Sequence, residues 1–364
     1  MIIGLNLSTL RGHGSSRIGQ GVLKGLQHVG GHHRFVAWIP ESWRLENSGD
    51  IPLHRCKGGI AAKFYTEQIH IRHACQSGNV KHLLSFTDTS IVACPVPHVL
   101  MIQNSFLAYP TSEWPTQCTF QFRARMTAIN ALFALTKPTV KFFSVQTESM
   151  KERLSKKWRI QSDKIIVVPS AVVINGAQDP IIEHRTTKPY ICVVATPSPQ
   201  KQYHLLPSIL HDLKRGGREI ECRITVLPSD VPELVQQAQH LGVLRLFKFL
   251  GNTTTTETVD LISHATAMLM PSVLESFGLP YYEALALGCP VVAADRDFAR
   301  EALGGAGLYA SAGSSAEFAI QLSILIDSES TRASHSQAGI TRYGAMKLTW
   351  NEIALKYLQI MDRL

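Results

Sequence analysis

Short apolar runs alternate with helical segments along most of this chain of 364 residues, and this alternation constrains the fold more than any other feature. Runs at 1–10, 82–88, 97–104, 142–147 and 164–172 occupy the first half, and the pattern restarts at 190–197. Strands of this length, separated by helices, are typical of a mostly parallel sheet with helices on both faces. Because the length favours two domains, we predict an α/β fold of two doubly wound domains.

The domain boundaries are predicted from a change in composition. A polar segment with Gly and Pro, 174–190, reads as a linker between an N-terminal domain at 1–182 and a second domain at 183–345. A C-terminal helix is predicted over 346–364, where Trp350, Ile353 and Tyr357 recur at helical spacing. In open parallel sheets the ligand crevice lies beyond the carboxyl ends of the strands, so candidate site residues are sought in those loops.

Composition excludes several classes of protein. With 45% hydrophobic residues the chain has ample apolar material for folded cores. No apolar stretch is long enough to span a bilayer, and the first residues read as a strand rather than as a signal peptide. Seven scattered cysteines without a CxxC pair argue against a disulfide framework and a zinc site. These features predict a cytoplasmic protein.

The net charge of +8 is unevenly distributed. Residues 1–185 carry 21 Lys and Arg against 11 Asp and Glu, whereas the remainder carries 15 against 17. The excess concentrates in predicted helices at 119–136 and 148–160, which have apolar stripes. Such helices either lie on an anionic membrane surface or turn their stripes to the core with solvated charges. A basic half also suits nucleic acid, but no RNP, KH or zinc-finger motif is present, so no nucleic-acid partner is expected.

The segment PSVLESFGLPYYEALALGCPVVAAD, residues 271–295, is the most informative in the chain. Glu275 follows a predicted strand and Glu283 lies eight positions later, inside the next helix. Free N–H groups at such a helix start bind oxyanions, Gly278 permits close backbone approach, and two carboxylates suit a polyhydroxylated ligand. The alternative is that Glu275 caps the helix and Glu283 is solvated.

This segment closely resembles the signature of glycosyltransferase family 4, the group 1 glycosyltransferases, through Pro-Ser, Glu-x-Phe-Gly, the second Glu and Gly-x-Pro-Val-Val. The resemblance is strong over about 186–364. It is weaker over 1–185, where VQTESMKERLSKKW and IIVVPS are similar to enzymes of bacterial O-antigen and cell-surface polysaccharide (lipopolysaccharide) synthesis. It implies a GT-B fold, with two Rossmann-like domains facing a cleft, and retaining, metal-independent transfer from a sugar nucleotide.

The resemblance also implies residue roles. Glu283 is expected to bind the donor ribose, Glu275 the transferred sugar, and Lys201 the leaving diphosphate, with Glu275 and Lys201 as the catalytic pair. One departure is Thr196, because many members have an arginine at this position, and Arg300, Arg11 or Arg17 is the candidate substitute. The donor-binding set further includes Ser276, Phe277, Gly278 and Leu279.

Two weaker signals lie in the first half. The segment RGHGSSRIGQG (11–21) is read as a glycine loop that places Gly12, Gly14 and Ser15 near the donor diphosphate, with Arg17 as an acceptor or sugar contact, or else as an ordinary tight turn. Gln103 and Asn104 follow a predicted strand. They are candidate acceptor or sugar ligands, although a turn-forming Asn is an equal alternative.

Metal chemistry is not indicated. Asp295-Arg296-Asp297 spells a DxD, but its place after a strand favours a loop and helix-cap role, and the histidines form no HExxH pattern. We therefore expect no metal and no cofactor, with the nucleotide sugar acting as a substrate.

The resulting hypothesis is a retaining glycosyltransferase that uses a UDP- or GDP-type donor. Its acceptor would be a glycan. We expect a lipid-linked oligosaccharide at the inner face of the cytoplasmic membrane, which the protein would contact peripherally through its basic half. The alternatives are an inactive sugar-nucleotide-binding partner subunit, a basic nucleic-acid-binding protein, and another GT-B enzyme such as an epimerase or a phosphorylase.

Overall fold

The computed structural model describes residues 1–45, 49–174 and 188–364, apart from the side chain of His13. The predicted boundary between 182 and 183, and residues 175–187 of the linker predicted over 174–190, lie outside the described residues. The chain forms two compact units. The first comprises Met1–Glu113, Cys118–Ala171 and Leu348–Leu364, and the second comprises Trp114–Gln117 and Val172–Lys347.

A seven-stranded, wholly parallel sheet forms the centre of the first unit, in the order β3-β2-β1-β4-β5-β6-β7. Its strands are β1 (Ile2–Asn6), β2 (Arg34–Pro40), β3 (Leu53–Cys56), β4 (His82–Ser85), β5 (His98–Met101), β6 (Phe142–Val145) and β7 (Ile165–Val167). Its first six α-helices are α1 (His13–Val29), α2 (Ile60–Phe64), α3 (Arg72–Gln76), α4 (Ser105–Ala108), α5 (Phe120–Thr136) and α6 (Glu148–Trp158). A π-helical segment, Tyr65–Ile71, joins α2 to α3.

The second unit is built on a six-stranded parallel sheet in the order β10-β9-β8-β11-β12-β13. Its strands are β8 (Tyr190–Val193), β9 (Glu221–Ile224), β10 (Phe247–Phe249), β11 (Ala267–Met270), β12 (Val291–Ala294) and β13 (Gly307–Ala310). Its helices are α7 (Leu206–Arg215), α8 (Pro232–His240), α9 (Thr255–Ser263), α10 (Leu279–Ala286), α11 (Asp297–Leu303), α12 (Ser315–Asp327) and α13 (Glu329–Met346).

The predicted C-terminal helix is present as α14 (Trp350–Met361) and belongs to the first unit. It packs along α1, where the Trp350 ring occupies the space beside Gly21 and Ala354 lies beside Gly25. Tyr357, which is fully buried, lies edge-on to Phe86 at 5.3 Å between ring centroids. The predicted return of this helix to the first domain is therefore confirmed.

Both central sheets are covered by helices and carry apolar strands, as the predicted doubly wound architecture requires. The elements that were not predicted include β3, the helical segment over residues 60–76, α4 and α13. The strand β3 carries exposed His54 and Arg55, and α13 buries only Ser336 and Gly339, so neither has an apolar pattern that distinguishes it from a loop. No helix within the described parts of the chain is long and apolar enough to cross a bilayer.

Candidate functional site

The loop between β11 and α10 carries most of the predicted donor residues. Gly278 is the N-cap of α10 and has a φ of +73°. A Cβ at this position would lie 2.5 Å from Cδ2 of Tyr281, so both the backbone conformation and the available space require glycine. Phe277 is buried and stacks on Tyr282, with 4.2 Å between ring centroids. The turn is consequently a rigid support for the start of α10, beside half-buried Ser276 and Leu279.

Lys201 and Glu275, the two predicted catalytic residues, are ion-paired through Nζ and Oε1. Lys201 ends a short 3-10 turn after β8, and the loop of Glu275 is tied to this turn because the Val273 N–H donates to the Gln200 carbonyl at 2.9 Å. The side chains of the pair are only 12% and 10% exposed. The structure therefore places a cation and a carboxylate together at the carboxyl ends of the adjacent strands β8 and β11.

Glu283 lies in the middle of α10 and is only 7% exposed. The alternative of a solvated Glu283 is therefore wrong. The alternative that Glu275 caps α10 is also wrong, because the N-cap is Gly278 and no side chain caps it. Since a buried carboxylate needs partners to offset its loss of hydration, both residues are held by the fold rather than exposed on a helix surface.

Thr196, which stands where the family resemblance leads us to expect an arginine, is exposed in the loop after β8. Of the candidate substitutes, Arg300 donates to both carboxylate oxygens of Asp295, at 2.7 and 2.8 Å, and lies over the ring of Tyr309 at 3.9 Å. The Arg300 guanidinium holds the pKa of Asp295 below its usual value. Arg11 donates to the Cys56 carbonyl at 2.7 Å. The guanidinium groups of Arg300 and Arg11 therefore already have hydrogen-bond partners. Each would have to release one of these partners in order to bind a phosphate.

The DxD segment forms the start of a helix. Asp297 is the first residue of α11 and accepts a hydrogen bond from the Phe298 N–H at 3.0 Å, while Asp295 holds Arg300. Across residues 1–45, 49–174 and 188–364, no three His, Cys, Asp or Glu side chains are grouped so as to hold a metal ion. Metal-independent chemistry remains a prediction.

The predicted glycine loop over 11–21 is wrong, because α1 already begins at His13. Gly12 is the exposed N-cap, and Gly14, Ser15 and Arg17 lie in the first turns of the helix, where Ser15 Oγ donates to the Gly12 carbonyl at 3.1 Å. Farther along, Gly19 and Gly21 serve close packing, since a Cβ on either would lie within 2.6 Å of a tryptophan ring atom. Repeated glycines thus indicated a loop where they reflect helix packing.

Gln103 and Asn104 follow β5 in a turn organised by Asp88. Their backbone N–H groups both donate to Oδ1 of Asp88, at 2.6 and 3.0 Å. The Asn104 side chain accepts from the Phe106 N–H at 3.0 Å and so caps α4. The turn-forming alternative is therefore correct for Asn104, whereas Nε2 of Gln103 is buried without a hydrogen-bond partner among the described residues.

A buried polar cluster near these residues was missed by the sequence-based prediction. Glu67 is 1% exposed in the π-helical segment and accepts from Asn6 Nδ2 at 3.1 Å, with Lys63 Nζ 4.0 Å away. Burial raises the pKa of Glu67 and, despite its backbone hydrogen bonds, that of Asp88. Asp88 adopts a positive φ of 62°, which is unusual for a residue with a side chain. No motif surrounds Glu67, so no sequence signal was available.

The two basic helices use their apolar stripes internally. Met126 and Phe133 of α5, and Met150 and Leu154 of α6, are buried. In α6 the Lys157 ammonium donates to the carbonyls of Phe106 and Tyr109, both at 2.9 Å. The interpretation that these stripes face the core is therefore correct, and any membrane contact must involve other side chains.

Residues 176–342 match the family model described as "Glycosyl transferases group 1". The chain is 26% identical over 162 residues to the O-antigen chain mannosyltransferase RfbU of Salmonella typhimurium, covering 44% of each chain. It is 33% identical over 156 residues to the D-inositol 3-phosphate glycosyltransferase of Corynebacterium efficiens, covering 42% of this chain and 36% of that protein. The matches thus span less than half the length of these relatives.

Solved structures show the same fold over the whole chain. The glycosyltransferase WaaG, involved in lipopolysaccharide biosynthesis, superimposes with a TM-score of 0.74 at 12% identity, covering 99% of both chains. Anabaena Alr3699/HepE in complex with UDP and glucose gives a TM-score of 0.74 at 16% identity, covering 100% of this chain and 99% of that one. The likeness confirms the predicted GT-B fold.

Proposed function

We propose, from the match of residues 176–342 to the family model of the group 1 glycosyl transferases, that the chain is a retaining glycosyltransferase that transfers a sugar from a nucleotide donor to a glycan acceptor without a metal ion. The observation that carries the proposal is the largely buried ion pair of Lys201 and Glu275 beside the start of α10. Two residues of this region thereby supply the charges that a departing diphosphate and a sugar hydroxyl require.

Lys201 is proposed to stabilise the leaving diphosphate. Departure of the nucleotide develops negative charge on phosphate oxygens, and a pre-positioned ammonium in a partly dry site lowers the energy of that state. In the free protein Glu275 neutralises this ammonium, so the pair is stable before the donor arrives. When the diphosphate binds the Lys201 ammonium, the Glu275 carboxylate becomes available to accept hydrogen bonds from the hydroxyls of the transferred sugar.

Glu283 is proposed to bind the donor ribose, since each carboxylate oxygen accepts from one of two neighbouring hydroxyls. A UDP- or GDP-type donor follows from the family. UDP is the first to test, because the structural neighbour Alr3699/HepE was solved with UDP and glucose. The proposed acceptor is a lipid-linked glycan, supported by the relative named as an O-antigen chain mannosyltransferase.

A peripheral contact with an anionic membrane at the cytoplasmic face is the proposed setting. Residues 114–147 contain no Asp or Glu but four Lys and Arg, and Phe120 and Leu135 on α5 are 85% and 65% exposed. Ile60 and Phe64 on α2 are also exposed. Exposed apolar side chains among cations fit an anionic lipid surface.

A thermal-shift screen of the chain against UDP- and GDP-sugars tests the donor. A bound donor raises the unfolding temperature by mass action, and Glu283→Gln removes this rise, whereas Glu329→Gln at the start of α13 retains it. Transfer that survives EDTA agrees with metal independence. If no nucleotide sugar shifts the wild-type melting temperature, the proposed function is wrong.

A sugar-nucleotide-binding subunit without transfer activity is the second candidate. It is favoured by exposed Thr196, which replaces an expected phosphate cation, and by the engagement of Arg300 with Asp295. Donor binding without hydrolysis or transfer, across lipid-linked and free glycan acceptors, would establish it. Transfer to any acceptor would exclude it.

A further inference from the structure

A groove of about 840 Å³ lies in the first unit, at the amino ends of β1 and β2. Its wall includes Ile2 and Arg34, the first residues of these strands. Because the sheet is parallel, the carboxyl ends that lead to Gln103 and Asn104 lie at its opposite edge. The groove is therefore separate from the turn of Gln103 and Asn104, and its volume suits a small organic molecule.

Two buried polar side chains in the wall of this groove lack hydrogen-bond partners among the described residues. The His33 side chain is only 8% exposed, its Nδ1 has no partner, and its Nε2 lies 3.9 Å from Asp362 Oδ1, which is too far for a hydrogen bond. Nε2 of Gln27, from α1, is also buried without a partner. Since buried polar atoms are normally hydrogen-bonded, these atoms point to a polar ligand.

The other polar groups of the wall include an indole, imidazoles, a guanidinium and a carboxylate. Trp38 Nε1 donates to Nδ1 of His70 at 3.2 Å, so the proton of neutral His70 resides on Nε2, which is a donor. The ring of His54 stacks on Trp38 at 5.2 Å and forms a flat part of the wall. Arg34 contributes a guanidinium, and among the described residues of the wall Asp50 contributes a carboxylate. The Arg34 guanidinium, which carries a positive charge and only donors, favours an anion.

We propose that this groove is a binding site for a small organic anion, whose carboxylate or phosphate oxygens accept hydrogen bonds from Arg34, His33 and Gln27. A guanidinium forms two parallel hydrogen bonds with either type of group. The planar ring of His54 then contacts the remainder of the ligand. This site goes beyond the proposed transfer reaction and does not depend on it.

Protonation of His33 is coupled to binding. Burial and the neighbouring His32 lower the pKa of His33, the amino group of Met1 lowers it further, and Asp362 opposes the shift. The imidazole is therefore neutral at neutral pH, and a bound anion stabilises its charged form. Binding takes up a proton and tightens as the pH falls.

Isothermal titration of the full chain with inorganic phosphate and with citrate tests the site at about pH 6 and about pH 8, on either side of the usual pKa of histidine. We expect one site per chain, with tighter binding at the lower pH. Binding of phosphate alone identifies a phosphate ligand, and binding of citrate alone identifies a carboxylate ligand. Arg34→Gln and His33→Asn each weaken binding about tenfold through the loss of a charge-assisted bond.

Arg215→Gln, at the exposed end of α7 in the second unit, is the matched control and leaves binding unchanged. Absence of binding for both anions at both pH values overturns the proposal, as does equal weakening by Arg215→Gln. Because Arg34 is exposed, Arg34→Gln keeps the test valid even if His33→Asn fails to fold. Nucleotide-sugar stabilisation is measured on the same variants and is unchanged in Arg34→Gln, so failure of the groove and failure of the proposed function are distinguishable.

Discussion

The ammonium of Lys201 and the carboxylate of Glu275, 74 positions apart in the chain, form an ion pair whose members are both largely buried. A pair at this depth is mutually dependent, because removal of one partner leaves the other charge desolvated. The proposed chemistry and the stability of the second unit are therefore linked at this contact.

Lys201→Met is expected to lower kcat about 100-fold, since the leaving diphosphate loses its cation. It also lowers the free energy of unfolding by about 3–5 kcal/mol, because Glu275 is left buried and unpaired. The double variant Lys201→Met/Glu275→Gln regains stability but not activity. Lys248→Met, at an exposed position on β10, is the control in urea unfolding and transfer assays. Equal stability of Lys201→Met and wild type would show that the pair is not buried in solution.

Gly278→Ala is expected to be more costly than Gly→Ala changes in the second unit where a Cβ meets open space. It forces a left-handed conformation on alanine, at about 1–2 kcal/mol, and places a Cβ 2.5 Å from Tyr281. Gly313→Ala has a positive φ but open space, and Gly305→Ala has neither problem. Denaturant unfolding should rank the losses as Gly278, then Gly313, then Gly305, and a different order would contradict the packing argument.

Gly21→Ala is expected to destabilise the first unit although alanine favours helices. A Cβ there would lie 2.1 Å from Cε2 of Trp350, so α14 would have to move away from α1. Gly344→Ala in α13 meets no atom within 4 Å and should instead stabilise by about 0.5–1 kcal/mol. Thermal unfolding of both variants provides the comparison, and stabilisation by Gly21→Ala would mean that the two helices are not in close contact.

The difference in stability between wild type and Glu67→Gln is expected to depend on pH. Burial raises the pKa of Glu67 in the folded state above the unfolded value, so its favourable contribution is complete below the unfolded pKa and is lost as the pH rises through the folded pKa. Glu67→Gln retains an acceptor for Asn6 but does not ionise. The melting temperature of this variant, relative to wild type, should therefore increase from about pH 5 to about pH 8. A constant difference would show that Glu67 is ionised without cost.

Phe120→Ser is expected to weaken binding to anionic vesicles about tenfold or more, because insertion of a Phe side chain contributes about 1.5–3 kcal/mol. Ile320→Ser, at a position 58% exposed on α12 in the second unit, is the control. Wild-type binding should also weaken with salt, as screening reduces the attraction of the basic residues to lipid. Vesicle sedimentation measures both effects, and equal binding to neutral vesicles would contradict the proposed membrane contact.

Most elements of the two sheets were predictable because buried parallel strands are short apolar runs between helices. The predicted helix at 119–136 agrees with α5 to within one residue. β3 and α13 were missed because neither has an apolar period. Gly19 and Gly21 misled the prediction of α1, since helix packing and tight turns both select glycine for its missing Cβ.

The sequence alone determined the α/β class and the second-domain motif, and it singled out Glu275, Glu283 and Lys201 as candidates, because these depend on local pattern and residue type. Only the tertiary structure decided that Lys201 pairs with Glu275, that Glu67 is buried beside Asn6, and that His33 Nδ1 is buried in the wall of a groove without a hydrogen bond among the described residues. Each of these is a contact or a burial between residues distant in the chain. Such relationships depend on how strands and helices pack, which no local pattern encodes.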